Sequence, residues 1–104
     1  MAVISGSCAS AGANTIVATS AGNHHVLEAF QIQLEADAAS LQRVLFKNGA
    51  TEMWRFVGKT TVDGLVHDFS EADELHWATD AAIVLDLAEA KSIGYVLRYR
   101  TVAG

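Results

Sequence analysis

The chain lacks the disulfide bonds that stabilise many small proteins and the long apolar segments that anchor proteins in membranes. Cys8 is its single cysteine among 104 residues, so no disulfide can form within it, which fits a reducing compartment. No run of 18 apolar residues occurs, so we predict no membrane span. The first residues lack the basic start and long apolar centre of a secretory signal. We therefore expect a protein that stays where it is translated and has no membrane partner.

Basic charge is scarce as well. Seven Lys and Arg residues stand against twelve Asp and Glu, for a formal net charge of −5. Such a surface repels a phosphate backbone, so we expect no nucleic-acid partner. The 51% hydrophobic fraction is that of a folded chain. A chain of this length forms one domain with its own core.

The chain divides into two parts by composition. Residues 1–14 are mostly Ala, Ser and Gly without a period, and we predict a flexible N-terminal arm that orders against a neighbour. From residue 15 to 104, turn-like stretches such as "AGN", "KNGA", "VDG" and "AKSIG" recur at short intervals. Such punctuation is typical of an all-β sandwich or barrel of short antiparallel strands.

Local periodicity leaves strand and helix both open. In "AFQIQLEA", Phe30, Ile32 and Leu34 alternate with polar residues, and "AAIVLDLAE" and "GYVLRYRTV" alternate in the same way, as strands with one buried face do. However, apolar residues from Leu27 to Leu45 also recur every 3.6 positions, so 26–46 fits an amphipathic helix. "TDAAIVLDLAEAK" is likewise rich in helix formers.

The adjacent histidines His24 and His25 are the first chemical candidates. A turn with Gly22 at its first central position would start a strand at His24. Neighbouring strand residues point to opposite faces, so the two rings cannot hold one metal ion through that strand. The other histidines, His67 and His76, lie in separate segments. We expect solvent-facing or interface histidines, and no metal.

The remaining candidates favour binding over catalysis. "DFSEADE" concentrates acids without the pattern of a calcium loop, so we expect a solvated loop. No Gly-x-Ser-x-Gly elbow, phosphate-cradling loop or dinucleotide motif occurs. A thiol in a mobile arm has nothing to activate it. We expect no catalytic residues and no cofactor. The tryptophans Trp54 and Trp77 are expected in the core, at an oligomer interface or on a sugar-binding platform.

The order of the segments resembles a known family. Ile16-Val17-Ala18, Gly22, Val26-Leu27 and the "VLFKNG" segment at 44–49 are similar to the opening half of small virion proteins from tailed bacteriophages. The closing half, "WATDAAIVLDLAEAKSIGYVLRY", is similar to the ending of that family, with Leu85, Leu87, Ala90, Gly94 and Tyr99 fitting loosely. The resemblance covers roughly residues 14–102.

The resemblance implies an antiparallel jelly-roll-like β-sandwich of about eight short strands. It makes 26–35, 41–47 and 82–88 strands, in preference to the helical alternative. It also implies a homotrimeric head decoration or cement protein. Such a protein is assembled in the bacterial cytoplasm and binds the major capsid protein on the outer surface of the head.

Two sets of residues are the predicted contacts. We expect the arm to add a strand to an exposed sheet edge of the shell. Trp54, Trp77, Arg98 and Arg100 are the predicted trimer or partner interface. A glycan-binding module on the phage head or tail, and a small cupin-like enzyme, are the alternatives. The predicted capsid-binding residues of the arm are Val3, Ile4, Ser5, Ser7, Ala9, Ala11 and Asn14.

Overall fold

Two antiparallel sheets facing each other make up the fold. The structure is a computed structural model and describes residues 2–104. These residues form nine strands and one short 3-10 helix, Glu71–Asp73. The strands are β1 (Ala2–Cys8), β2 (Gly12–Val17), β3 (Asn23–Leu34), β4 (Gln42–Asn48), β5 (Thr51–Gly58), β6 (Gly64–Asp68), β7 (Leu75–His76), β8 (Ile83–Leu87) and β9 (Ile93–Ala103).

The strand order is that of a jelly roll. Sheet A has the order β1-β9-β3-β6, with the two-residue β7 also paired to β3, and sheet B has the order β2-β8-β4-β5. The chain crosses between the sheets after β1, β2, β3, β5, β7 and β8, which generates two Greek keys. This confirms the prediction of an all-β jelly-roll sandwich with about eight main strands.

The strand alternation predicted from the sequence builds the core. In β3, Phe30, Ile32 and Leu34 are all at most 2% exposed. The helical alternative for 26–46 is wrong, because it leaves Ile32 and Phe46 off its apolar stripe, yet both are 1% exposed. The core residues are Ile16, Val17, Leu27, Phe30, Ile32, Leu34, Val44, Phe46, Trp77, Ile83, Leu85, Leu87, Ile93 and Leu97.

The predicted N-terminal arm requires a correction. Met1 lies outside the described residues, but residues 2–8 form β1, which pairs with β9 over its whole length, and 12–14 begin β2, which pairs with β8. Because residues 2–14 are mostly Ala, Ser and Gly, they lack the alternation of large apolar and polar side chains that indicates a strand. Nevertheless, Ile4 and Cys8 pack against the core. Pairing to a neighbouring strand overrides weak local propensity.

The turn before the histidine pair also differs from the prediction. The amide of Asn23 donates to the carbonyl of Ser20 at 2.9 Å, so Ala21 and Gly22 are the two central residues. Gly22 takes the second central position with a φ of 76°, as in a type II turn, where glycine avoids strain. The turn joins β2 in sheet B to β3 in sheet A, so it is not a hairpin within one sheet.

Candidate interaction surface

The outward face of sheet A presents three rows of side chains that cross β1, β9, β3 and β6. The strand register places facing residues side by side, and alternate residues of each strand share one face. The first row is Val3, Arg98, Ala29 and Asp68; the second is Ser5, Val96, Gln31 and Val66; the third is Ser7, Gly94, Gln33 and Gly64.

Small residues in these rows leave two shallow depressions. One, of about 290 Å³, lies between the second and third rows, beside Ser5, Gln31, Gln33 and Gly94. The other, of about 230 Å³, lies between the first and second rows. Gln31 and Val96 border both depressions. The face is therefore corrugated, with room for side chains of another molecule.

The middle row carries no charge and exposes apolar surface. Val66 is 67% exposed and Val96 41%, and Val3 in the first row is 65% exposed. Single exposed apolar residues are ordinary, but valines that share one sheet face with amides and hydroxyls resemble a protein-binding surface. We call this area, rows one to three, the valine–glutamine face.

A charged network borders the valine–glutamine face at one end. Arg100 contacts Glu28 Oε2 through Nη1 and Glu74 Oε1 through Nη2, both at 2.8 Å. Arg98 lies 3.8 Å from Glu28 and 3.7 Å from Asp68. Glu28 sits at a bulge where the register of β3 against β9 shifts between Leu27 and Ala29. The bulge thereby brings one carboxylate between two arginines.

The network determines which arginine is available to a partner. The carboxylates of Glu74 and Glu28 raise the pKa of the Arg100 guanidinium, and Arg100 in turn holds the pKa of Glu74 below its ordinary value. The guanidinium of Arg100 is thus paired with two carboxylates of the same chain. Arg98 has longer contacts and a side chain that is 43% exposed, and it lines the smaller depression. Of the two predicted interface arginines, Arg98 is the less tightly paired and slightly the more exposed, because the Arg100 side chain is 34% exposed.

The predicted capsid-binding residues separate into four environments, of which the fourth is that of Asn14 in β2. Val3, Ser5 and Ser7 lie on the valine–glutamine face. Ile4 points inward and packs against the core. Ala9 and Ala11 are exposed in the connection between β1 and β2.

Asn14 has a structural role in the turn before β2. Its side-chain amide donates to the carbonyl of Ser10 at 2.8 Å, and it contacts the carbonyls of Gly12 and Leu85 at 3.1 and 3.3 Å. These bonds tie the β1–β2 connection to β8. The side-chain amide of Asn14 therefore already donates its hydrogen bonds to the chain's own backbone.

The side chains of both tryptophans pack against other residues of the same chain. Trp77 is 2% exposed, and its Nε1–H donates to the carbonyl of Lys47 at 2.8 Å. Its prediction as an interface residue is therefore wrong, because the folded chain buries it. Trp54 is half-buried, with its ring 4.8 Å from that of His67 and 5.4 Å from that of Phe69. His67, tilted by 33° to the Trp54 ring, and Phe69, edge-on to it, both cover ring surface that a sugar platform needs open.

The two adjacent histidines point to opposite faces, as the strand argument requires. His25 is 3% exposed, its Nε2 lies 2.8 Å from the carbonyl of Ala18, and its Nδ1 lies 2.9 Å from the hydroxyl of Thr101. Since a carbonyl only accepts, Nε2 carries a hydrogen and donates it to Ala18. His25 is therefore a hydrogen-bonded core residue, which corrects the expectation that it faces solvent or an interface.

The acidic loop is folded against the sandwich in part. Ser70 Oγ donates to Asp73 at 2.7 Å, across the 3-10 helix, and Glu74 is turned inward to Arg100. Asp68 and residues 70–73 are exposed, as expected of a solvated loop, and Glu74 is the one acid of this loop that is turned away from solvent. Among residues 2–104, no three His, Cys, Asp or Glu side chains are placed to share a metal ion. Within the same range, no helix has the length and apolar character to cross a membrane.

The outward face of sheet B has a different character. Lys47 pairs with Asp86 at 3.5 Å, and Arg55 pairs with Glu52 at 2.7 Å. Arg43 adds a further exposed positive charge on β4. Charges dispersed in this way are typical of a solvated face. The contrast makes the valine–glutamine face of sheet A the stronger candidate for binding a partner.

Sequence reasoning identified β1 residues of this face and Arg98 but missed its centre. Gln31 and Gln33 carried a signal, because they alternate with Phe30, Ile32 and Leu34 and must lie opposite the core. Val66 and Val96 carried none, since an apolar residue at a polar strand position does not reveal its neighbours.

No protein-family model, curated protein or solved structure matches this chain.

Proposed function

We propose that the chain is a structural virion protein that decorates the outside of a phage head as a homotrimer and strengthens its lattice. The observation that carries the proposal is the uncharged middle row of the valine–glutamine face, with Val96 and Val66 41% and 67% exposed. A jelly-roll sandwich with such a face is suited to docking on another protein. The resemblance to small virion proteins supports the choice of the major capsid protein as that partner.

Docking through this face has a clear physical basis. Covering Val66 and Val96 removes apolar surface from water, which favours association by about 25 cal/mol per Å² before the costs of ordering. Gln31 and Gln33 provide donors and acceptors that fix the register of the partner. Arg98 and Asp68 at the border supply charges of both signs, which contribute more to specificity than to affinity.

Trimeric docking makes weak individual contacts sufficient. Three linked copies that engage three capsid subunits gain about 10²–10⁴ in apparent affinity over a single copy. A ligand that binds the assembled lattice and not its separated subunits stabilises the lattice by linkage. The decorated head then withstands more outward pressure from packaged DNA than the bare head.

A pair of matched valines tests this docking face. Val96 lies on sheet A and is 41% exposed, whereas Val57 lies on β5 of sheet B and is 43% exposed. Val96→Lys places a charge in the centre of the valine–glutamine face, so we expect it to lower occupancy on purified heads from the source particle by at least about tenfold. Val57→Lys should leave occupancy unchanged.

The readout is cryo-electron microscopy of those heads, with the chain traced into density at the outer surface. Bound wild-type chain that contacts the shell through sheet A supports the proposal. Heads that never carry the wild-type chain, or carry it through sheet B with Val57→Lys as the defective variant, overturn it.

A further inference from the structure

One flank of the sandwich carries no charge. All seven basic and twelve acidic residues lie at or beyond Glu28, and residues 2–17 form β1, the edge of sheet A, and β2, the edge of sheet B. Three residues, 9–11, join the two strands. Three residues reach roughly 10 Å, which is about the distance between two packed sheets. The edge strands β1 and β2 therefore lie on the same side of the sandwich. We call residues 2–17 the charge-free flank.

The opposite flank is protected against strand pairing. There β5 carries Glu52 and Arg55, β6 ends at Asp68, and Lys59 lies in the connection between them. Charged side chains on edge strands are a common device against association, because a neighbouring strand would bury them. The two flanks of the same sandwich therefore differ in whether another chain can approach.

The edges of the charge-free flank are suited to pairing. Over residues 2–8, β1 pairs with β9 without a shift in register, and in residues 2–104 no strand lies beyond it. Alternate N–H and C=O groups of such an edge point outward. Val3 is 65% exposed, and small residues dominate the rest of the flank. Apart from the Glu35 carboxylate, which contacts Ser7 near one end of β1, neither charge nor bulk keeps a second backbone away.

We infer that the charge-free flank joins copies of this chain, with β1 of one copy lying along β2 of the next. Copies with a net charge of −5 repel one another, and the repulsion is weakest where neither surface carries charge. Each flank offers two different edges. A contact of β1 with the next copy's β2 uses each edge once, and such a heterologous contact closes into a ring of three when each copy is rotated by a third of a turn from the last, as the proposed trimer requires.

This inference rests on the self-association in the proposed function and assigns it a surface. Val3, Ser5 and Ser7 belong to both surfaces, but strand pairing uses the outer backbone groups of β1, so the rest of the valine–glutamine face, on β9, β3 and β6, stays available for the shell. Three copies with their flanks turned toward a common axis satisfy both edges of every copy. A contact of β1 with another β1 would instead give a two-fold dimer and leave the β2 edges open. The two arrangements are therefore distinguishable by experiment.

Val3 and Val66 form a second matched pair for the test. Both lie on the outward face of sheet A, 65% and 67% exposed, at opposite edges. Sedimentation should find wild type and Val66→Lys at three times the chain mass of 11.0 kDa, and Val3→Lys at one chain mass or with at least about tenfold weaker assembly. A Val3→Lys protein that assembles like wild type, or a wild type that is monomeric at all concentrations, overturns the inference.

Crosslinking gives a test that does not depend on a destabilising charge. In a Cys8→Ser background, Ser5→Cys and Thr15→Cys chains are prepared separately, mixed and oxidised. We expect a disulfide between the two chain types in the mixture and none in either alone. Crosslinking of Ser5→Cys chains to one another would indicate the two-fold contact and overturn the ring, as would no crosslink in an assembled mixture.

Head occupancy separates this inference from the proposed function. Val66→Lys should assemble normally but bind heads more weakly, because Val66 belongs to the valine–glutamine face. Failure of Val3→Lys to affect assembly refutes the ring contact alone. Wild-type chain that forms the ring but never binds heads refutes the virion role alone.

Discussion

The buried amide of Gln42 provides a sharp test of how the sandwich is held together. Gln42 is fully buried at the start of β4. Its Nε2 donates to the carbonyls of Glu89 and Lys91 at 2.8 and 3.0 Å, and its Oε1 accepts from the amide of Glu89 at 2.8 Å. One side chain thus fastens β4 to the connection between β8 and β9.

The cost of Gln42→Met follows from the groups it leaves unpaired. Methionine fills a similar volume but forms none of the three bonds. The Glu89 carbonyl keeps a second bond from the Lys91 amide at 2.8 Å, so the Glu89 amide and the Lys91 carbonyl are the groups left without a partner. Each buried unpaired group costs about 1–3 kcal/mol. Lys91 is an exposed residue, so its carbonyl should cost less than the Glu89 amide, and we expect a total loss of about 2–3 kcal/mol.

Urea unfolding at one fixed protein concentration measures this loss, since self-association adds to apparent stability. With an m-value of about 2 kcal/mol/M, the midpoint should fall by about 1–1.5 M at an unchanged slope. The control is Gln31→Met, an exposed glutamine on sheet A, which should change stability by no more than about 0.5 kcal/mol. A Gln42→Met loss below about 1 kcal/mol, or one equal to that of the control, would refute the reasoning.

Two further predictions concern the core and the charged network. Leu85→Ala should destabilise the chain by about 2–5 kcal/mol because Leu85 is fully buried between the sheets, whereas Val84→Ala, one residue away on the opposite face, should cost less than about 1 kcal/mol; equal losses in calorimetry would contradict the assigned faces. Arg100 lowers the pKa of Glu74 in the folded state, so this contribution is present above the ordinary glutamate pKa and is lost as the pH falls through the folded value. Glu74→Gln should therefore lose stability less steeply than wild type on acidification below about pH 5, and superimposable urea midpoints across that range would count against it.

The strongly alternating strands were predictable because their information is local. Every second residue from Phe30 to Leu34 is large and apolar, and the same holds from Ile83 to Leu87. A two-residue period is typical of a strand with one buried face, although the residues around both segments also fit a helix. The helix-forming composition of the second segment did not matter, because burial of three side chains outweighs weak propensity.

The candidate surface was less predictable, because it depends on which strands become neighbours. Ser5, Val96, Gln31 and Val66 come from four distant parts of the chain and meet through the register of sheet A alone. Nothing in the neighbourhood of Val66 indicates that it shares a row with Val96. The misassignment of Trp77 has the same origin, since the depth of a ring depends on what packs over it.

The sequence by itself determined the apolar faces of the long segments and the lack of charge before Glu28, whereas the choice of strand over helix needed the family resemblance as well. The tertiary structure alone decided that residues 2–8 are a strand, because β9 supplies the hydrogen-bond partners that their own composition does not demand. It also decided that this uncharged segment forms a sheet edge. The alternation of apolar and polar residues can be read from neighbouring positions in the sequence. The partner of a strand is decided by residues that are remote in sequence, and an interaction surface depends on which strands become partners.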